Sequence, residues 1–236
     1  MGKISVVIGP SGSGKTTLVR ALSLLDPPTS GCVTIDGERY DFPRGKGSPA
    51  IKPPWPRLTV VFQQHFLWPH LTLRQNIVLP ASRRSSGSPP VAELIAMFDM
   101  GDWVDRYPNE VSLGQRQRVA LARAFALDPE YVLLDEITSA LDVEQTAVVV
   151  KHLLSLRSRG IGMLVVTHLL AFARELLARN EGDMIYLLDD GSVAGKGGLE
   201  FFEKPGSDRA SEFLSSMDYW SHSPRQRDTE KQESEP

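Results

Sequence analysis

The stretch GPSGSGKTT at residues 9–17 restricts the fold of this chain more than any other. It follows Ile4 to Ile8, a short run rich in β-branched residues that reads as a buried strand ended by Gly9 and Pro10. It leads into Thr16 to Leu25, which reads as a helix stopped by Asp26-Pro27-Pro28. A Gly/Ser linker has no reason to lie between a buried strand and a helix with Lys-Thr at the join. Gly9-x-x-x-x-Gly14-Lys15-Thr16 instead matches a phosphate-binding loop in full. Gly12 and Gly14 let the backbone turn tightly and aim successive N–H groups inward as an anion nest. The helix that follows adds its positive N-terminal end. Lys15 reaches the β- and γ-phosphates, and the Thr16 hydroxyl holds Mg²⁺. The nucleotide-binding residues are therefore Gly9, Pro10, Ser11, Gly12, Ser13, Gly14, Lys15, Thr16 and Thr17. The motif specifies a nucleoside triphosphate, and kinases, GTPases and motors all share it.

The rest of the chain alternates strand and helix. CVTIDGERY (32–40) carries Asp36-Gly37, a hairpin signal. Residues 41–57 read as loop, and Leu58 to Phe62 as a strand. Helices are expected over 71–79, 91–106 and 115–127, with a low-complexity segment at 81–90. Tyr131–Leu134, Met163–Val166 and Met184–Leu188 are unbroken apolar runs that fit strands buried on both faces. Asp142 with Gln145 has the form of a capping box for a helix running to Arg159 and ending at Gly160. This pattern predicts an α/β fold with a mainly parallel sheet and a helical insertion over about 66–127. Residues 1–217 form one domain, and the polar residues 218–236 read as a disordered tail.

Composition narrows the function classes. The 236 residues are 41% hydrophobic and 23% charged, with a net charge of −3, which gives no sign of a nucleic-acid binder. The single cysteine, Cys32, cannot form an intrachain disulfide. No segment approaches ~20 uninterrupted apolar residues, so any membrane connection runs through a partner.

Asp135 closes a buried strand, where a carboxylate can bind Mg²⁺ directly or through water. Glu136 follows and is the candidate base for a hydrolytic water. By themselves His168 at a strand end and Gln63 after a strand carry no function; such residues are more often structural or merely exposed.

These pieces, in this order, resemble the ATP-binding subunit of an ABC transporter. Gly9 to Thr17 resembles its Walker A motif, and VFQQHF (61–66) its Q-loop with Gln63 as the Gln. Ser112-Leu113-Gly114-Gln115 resembles the signature, YVLLDE (131–136) Walker B, SALD (139–142) the D-loop and His168 the switch histidine. FQQHFLWPHLTLRQNI, DEITSALD, THLLAFAREL and FFEKPGSDRASEFL are similar to the polar amino-acid importer branch. The resemblance implies a phosphate-loop ATPase using ATP and Mg²⁺. Glu136, His168 and Gln63 would be catalytic, and Thr16, Gln63 and Asp135 would hold the metal. It implies a homodimer in which Ser112, Gly114 and Gln115 of one subunit complete the phosphate site of the other. It also implies a partner permease, a periplasmic or extracellular solute-binding protein, and a peripheral place on the cytoplasmic face of a bacterial inner membrane. The apolar Phe66, Leu67 and Trp68 are expected to meet the permease or to be buried in the helical insertion. A nucleotide-gated module with slow hydrolysis and a soluble non-transport ABC ATPase remain as alternatives.

Three departures from the family pattern stand out. Leu113 occupies a signature position usually held by Gly, and Ile137 one usually held by Pro. Family members also carry strands and a base-stacking aromatic upstream of Walker A, whereas the first aromatic here is Tyr40. Poor discrimination between ATP and GTP is therefore expected unless Tyr40 substitutes.

Overall fold

The computed structural model describes residues 2–45, 51, 54–82, 91–139, 141–178 and 182–221, with side chains as far as Met217. Its main sheet has six strands: β1 (Ile4–Ile8), β4 (Leu58–Val61), β5 (Tyr131–Asp135), β6 (Gly162–Val166), β7 (Met184–Asp189) and β8 (Ser192–Gly197). They lie in the order β4-β5-β6-β1-β7-β8. Every pairing is parallel except that of β8 with β7. The expected hairpin, β2 (Gly31–Ile35) and β3 (Glu38–Phe42), forms a two-stranded sheet of its own.

Alternate side chains of each strand serve two different cores. Val6, Ile8, Leu134, Val165 and Ile185 pack into a cluster shared with Leu73, Ile77, Phe98, Val119 and Leu121. Val7, Leu133, Val166 and Leu188 face the other way, toward Val19, Val33, Ile35, Tyr40 and Phe42. Burial on both faces is why these strands read as continuous apolar runs, and each such side chain contributes roughly 1.5–3 kcal/mol. Tyr40 is only 7% exposed within the second core, so it is not available to stack on a base. Between the hairpin and the N-terminal ends of β5 and β6 lies a cavity of about 990 Å³, lined by Leu22, Val33, Ile35, Leu58, Leu133 and Leu164 among others.

The helices are α1 (Lys15–Leu22), α2 (Leu73–Ala81), α3 (Val91–Met97), α4 (Leu113–Phe125), α5 (Val143–Ser158), α6 (Leu170–Leu177) and α7 (Asp208–Ser221). Residues 66–127 contain α2, α3 and α4 and no strand among the described residues. The helix expected over 91–106 stops at Met97: Asp99 turns left-handed (φ 51°), and 100–106 continue as bonded turns. The last helix reaches Ser221, four residues into the segment read as tail; residues 222–236 and 83–90 lie outside the described residues.

One buried ion pair anchors the start of the sheet. Arg157 Nη1 of α5 donates to Asp183 Oδ2 at 2.7 Å, and Asp183 Oδ1 accepts the Ile4 N–H at 2.8 Å. That fixes β1 from its first residue and so fixes where its C-terminal loop emerges.

Candidate active site

β5, β6 and β1 are neighbours, and their register brings their C-terminal ends to one edge: Asp135 lies beside Val166, and Val166 beside Val7. Whatever follows these strands must converge there, the crevice where open α/β sheets bind ligands. Gly9, Glu136 and His168 lie just past those ends.

The loop after β1 is shaped by close approach and by handedness. A Cβ on Gly9 would lie 2.1 Å from the Leu188 carbonyl oxygen, so only glycine fits against the end of β7. Gly12 and Gly14 adopt left-handed φ values of 82° and 98°, and Gly14 caps α1. The turn after β7 supports the loop from behind, with the Gly191 N–H donating to Ser13 O at 3.2 Å. Lys15 is buried and curls back, its Nζ donating to Gly9 O at 2.9 Å and Pro10 O at 2.8 Å. Two carbonyls thus occupy the ammonium where a phosphate would compete for it. Ser11, Gly12, Thr16 and Thr17 are exposed, and the Ser13 hydroxyl is buried without a partner.

Asp135 is 3% exposed, and its Oδ1 has no partner. Burial pushes its carboxyl above the ordinary carboxylate range, opposed by a hydrogen bond to Thr16 and by the nearby Lys15, while Glu136 adds to the rise. A buried carboxylate oxygen left unsatisfied beside a hydroxyl and an open anion cradle is a fit for a hard, oxygen-seeking cation. By chemistry and placement, Thr16 and Asp135 are residues that could hold Mg²⁺.

Glu136 takes a left-handed φ of 49°, and its N–H donates to Val166 O at 2.9 Å. This unusual backbone conformation turns the side chain out of the strand. His168 Nδ1 lies 3.7 Å from Glu136 Oε2. The turn that displays His168 is held by Thr167, whose N–H reaches Val7 O and whose hydroxyl accepts the Leu169 N–H at 3.0 Å. Gln63 Nε2 donates to Ser139 Oγ at 3.2 Å, which draws the loop after β4 to the segment after β5. Ile137 is 1% exposed in the main core, so an aliphatic side chain there is used for packing.

The signature residues are differently placed. The helix expected from Gln115 begins two residues earlier, because Ser112 is its N-cap: Ser112 Oγ accepts the Gln115 N–H, and Gln115 Oε1 accepts the Ser112 N–H. The Ser112 oxygen is engaged as an acceptor, which leaves its O–H for another partner. Gly114 is buried against α5, where an added Cβ would come to 2.4 Å from Gln145 Oε1. The expected reciprocal cap of α5 is accordingly only half formed. Asp142 accepts the Gln145 N–H at 2.7 Å, but the Gln145 side chain lies against Gly114. Leu113 is 44% exposed.

Sequence reasoning missed the supporting contacts: the Thr167 bonds, the Gln63–Ser139 bond, and the Leu188 and Gly191 backbone behind the phosphate loop. Thr167 next to His168 was a local signal for a hydroxyl-stabilised turn. The wall behind the loop had none, since about 180 residues separate its two sides.

Residues 1–139 match the family model described as ABC transporter. The chain belongs to the ABC transporter family. ABC relatives agree over most of its length. It is 35% identical over 219 residues to the arginine transport ATP-binding protein ArtP of Escherichia coli K12, covering 91% of this chain and 88% of that one. It is 37% identical to the glutamine transport ATP-binding protein GlnQ of the same organism, over 90% of this chain and 88% of that one. It is 38% identical to the glutamate transport ATP-binding protein GluA of Corynebacterium glutamicum, over 90% and 87%. The fold matches that of the dimeric ATP-binding cassette MJ0796 bound to ADP and Pi, with a TM-score of 0.69 and 32% identity over 84% of this chain and 85% of that one. No helix among the described residues is long and apolar enough to cross a membrane.

Proposed function

We propose that this chain is the ATP-binding and ATP-hydrolysing subunit of an ABC importer for polar amino acids. The observation that carries the reading is the unsatisfied Asp135 oxygen beside Thr16 and Lys15, with Glu136 and His168 on the adjoining strand ends. Lys15 exchanges the carbonyls of Gly9 and Pro10 for phosphate oxygens. The N–H groups of the loop and of the first turn of α1 cradle the remaining charge. Thr16 and Asp135, assisted by Gln63, would hold Mg²⁺, which would supply positive charge against the phosphates. Glu136 takes a proton from the attacking water, and His168 orients it against the γ-phosphate.

Two subunits close as a two-fold dimer, the Ser112 O–H and the N–H groups near Gly114 meeting the partner's γ-phosphate. Phe66 and Trp68, 62% and 38% exposed, form the contact with a membrane permease on the cytoplasmic face, while Leu67 packs inward. Similarity to the arginine, glutamine and glutamate transport proteins supports the substrate class and a solute-binding partner outside the membrane. The exposed Leu113 favours one rival, a module that closes on ATP but turns it over slowly. Measuring Mg·ATP turnover by the purified chain separates the two, and absence of turnover removes the importer ATPase reading. Trp68→Cys should cross-link to a permease loop in intact membranes; capture of no membrane subunit removes the docking assignment.

A further inference from the structure

We propose that Arg123 is a positioning residue that straps the Gln63 loop to the signature helix, so that the nucleotide site and the Phe66–Trp68 surface move together. This rests on the reading that Gln63 serves an ATP-hydrolysing site. Arg123 stands in the last turn of α4. Its Nη2 donates to His65 O at 2.6 Å and its Nη1 to Phe66 O at 2.8 Å. The two carbonyls are consecutive, and a planar guanidinium suits a pair held in fixed relation. Between them the backbone makes an unusual turn: Phe66 adopts φ 47°, a conformation a bulky side chain takes only when its surroundings enforce it. The Trp68 ring lies 5.5 Å from the same guanidinium, so Arg123 touches three residues of the loop.

A second tie reaches the loop from α4. His65 Nε2 and Gln117 Oε1 are 2.6 Å apart, and since the amide oxygen can only accept, the imidazole donates. From α2, Asn76 secures the far end, its Oδ1 accepting the Trp68 N–H at 2.8 Å and its Nδ2 donating to Trp68 O at 3.1 Å. The loop is thus bonded to two helices over residues 65–68, while Gln63, two residues before it, reaches Ser139. α4 begins at the Ser112 cap, and its length of about 17 Å from there to Arg123 is one rigid lever. A displacement of Gln63 on nucleotide binding is passed through the strap to α4, and it cannot leave Phe66 and Trp68 in place.

The test uses the full chain labelled with 5-fluorotryptophan in the Glu136→Gln background, the Trp68 resonance being the one lost in Trp68→Phe. Mg·ATP should shift that resonance in the parent, and the shift should disappear in Arg123→Gln and shrink in Arg123→Lys, which keeps the charge but loses the fork. With Glu136 restored, Arg123→Lys should lower kcat by ~10–100-fold, the scale of a misplaced catalytic group, and leave the KM for ATP unchanged. If Arg123→Gln fails to fold, Arg123→Lys alone decides. A Trp68 resonance that ignores nucleotide in the parent, or responds equally in the Arg123 variants, overturns the strap even where the chain with Glu136 restored turns over ATP. A chain that retains Glu136 and neither binds nor turns over Mg·ATP overturns the activity on which the strap rests.

Discussion

The two halves of the proposed nucleotide site are built in opposite ways. The phosphate half hangs from the ends of three adjoining buried strands, with Asp135 at 3% and Lys15 at 7% exposure. The signature half is a helix cap at the surface, its Ser112 fixed by reciprocal bonds to Gln115 and its Leu113 open to solvent. Sheet ends give fixed geometry at the cost of desolvated charge. A capped helix end gives accessible donors that a second molecule can reach. A site meant to open and close with a partner needs one half of each kind: chemistry held rigidly, and a contact that can be withdrawn.

The largest expected effect breaks the rigid half. Glu136→Gln should retain Mg·ATP binding and lose ~10²–10⁴-fold in turnover, measured as steady-state phosphate release. Unchanged turnover would remove Glu136 as the base. The next effect tests whether the surface half belongs to another subunit. In the Glu136→Gln background, light scattering should give a dimer with Mg·ATP and a monomer without it, and Ser112→Arg should abolish the dimer. Leu113→Gly should tighten it by allowing closer backbone approach. Equal masses with and without nucleotide, in both the parent and Leu113→Gly, would mean the signature completes no site.

The smallest expected effect concerns what the rigid half costs. Burial raises the Asp135 carboxyl above its ordinary value of 3.8, so the folded chain holds this proton more tightly than the unfolded one. The stability that follows is fully present below the unfolded value and is lost as pH rises through the higher folded one. Ionising Asp135 in the nucleotide-free protein therefore costs stability. Asp135→Asn should raise its Tm at pH 7, by about 2–4 °C per kcal/mol recovered in a chain of this size, with the gain vanishing in acid. The same change should remove Mg²⁺-dependent hydrolysis. A fall in Tm at pH 7 would show that Asp135 is held by partners rather than left for a ligand.

Most of the phosphate half was legible because its chemistry is local. Gly9 to Thr17 specify the loop by backbone conformation and side-chain type within nine residues. The strands under Asp135 and His168 announce themselves as apolar runs. The edge strand β8, SVAGKG, was not legible, since two glycines and no alternation give no pattern; β7 supplies the ladder that makes it a strand. The tail boundary shifted for a related reason: Phe213 and Leu214 are buried in the main core, and the helix they anchor runs on to Ser221.

What the sequence alone determined is therefore the set of local devices: a phosphate cradle, a carboxylate pair after a buried strand, a signature run at the start of a helix and the alternation that makes a parallel sheet. Tertiary structure decided which of them meet. Register across β5, β6 and β1 brought Asp135, Glu136 and His168 to the mouth of the loop. Packing sent Tyr40 into a core, turned Gln145 from its cap onto Gly114, and strapped the Gln63 loop to Arg123. Each of these is a contact between residues far apart in the chain, and its strength depends on burial and distance, which periodicity and motif spacing do not encode.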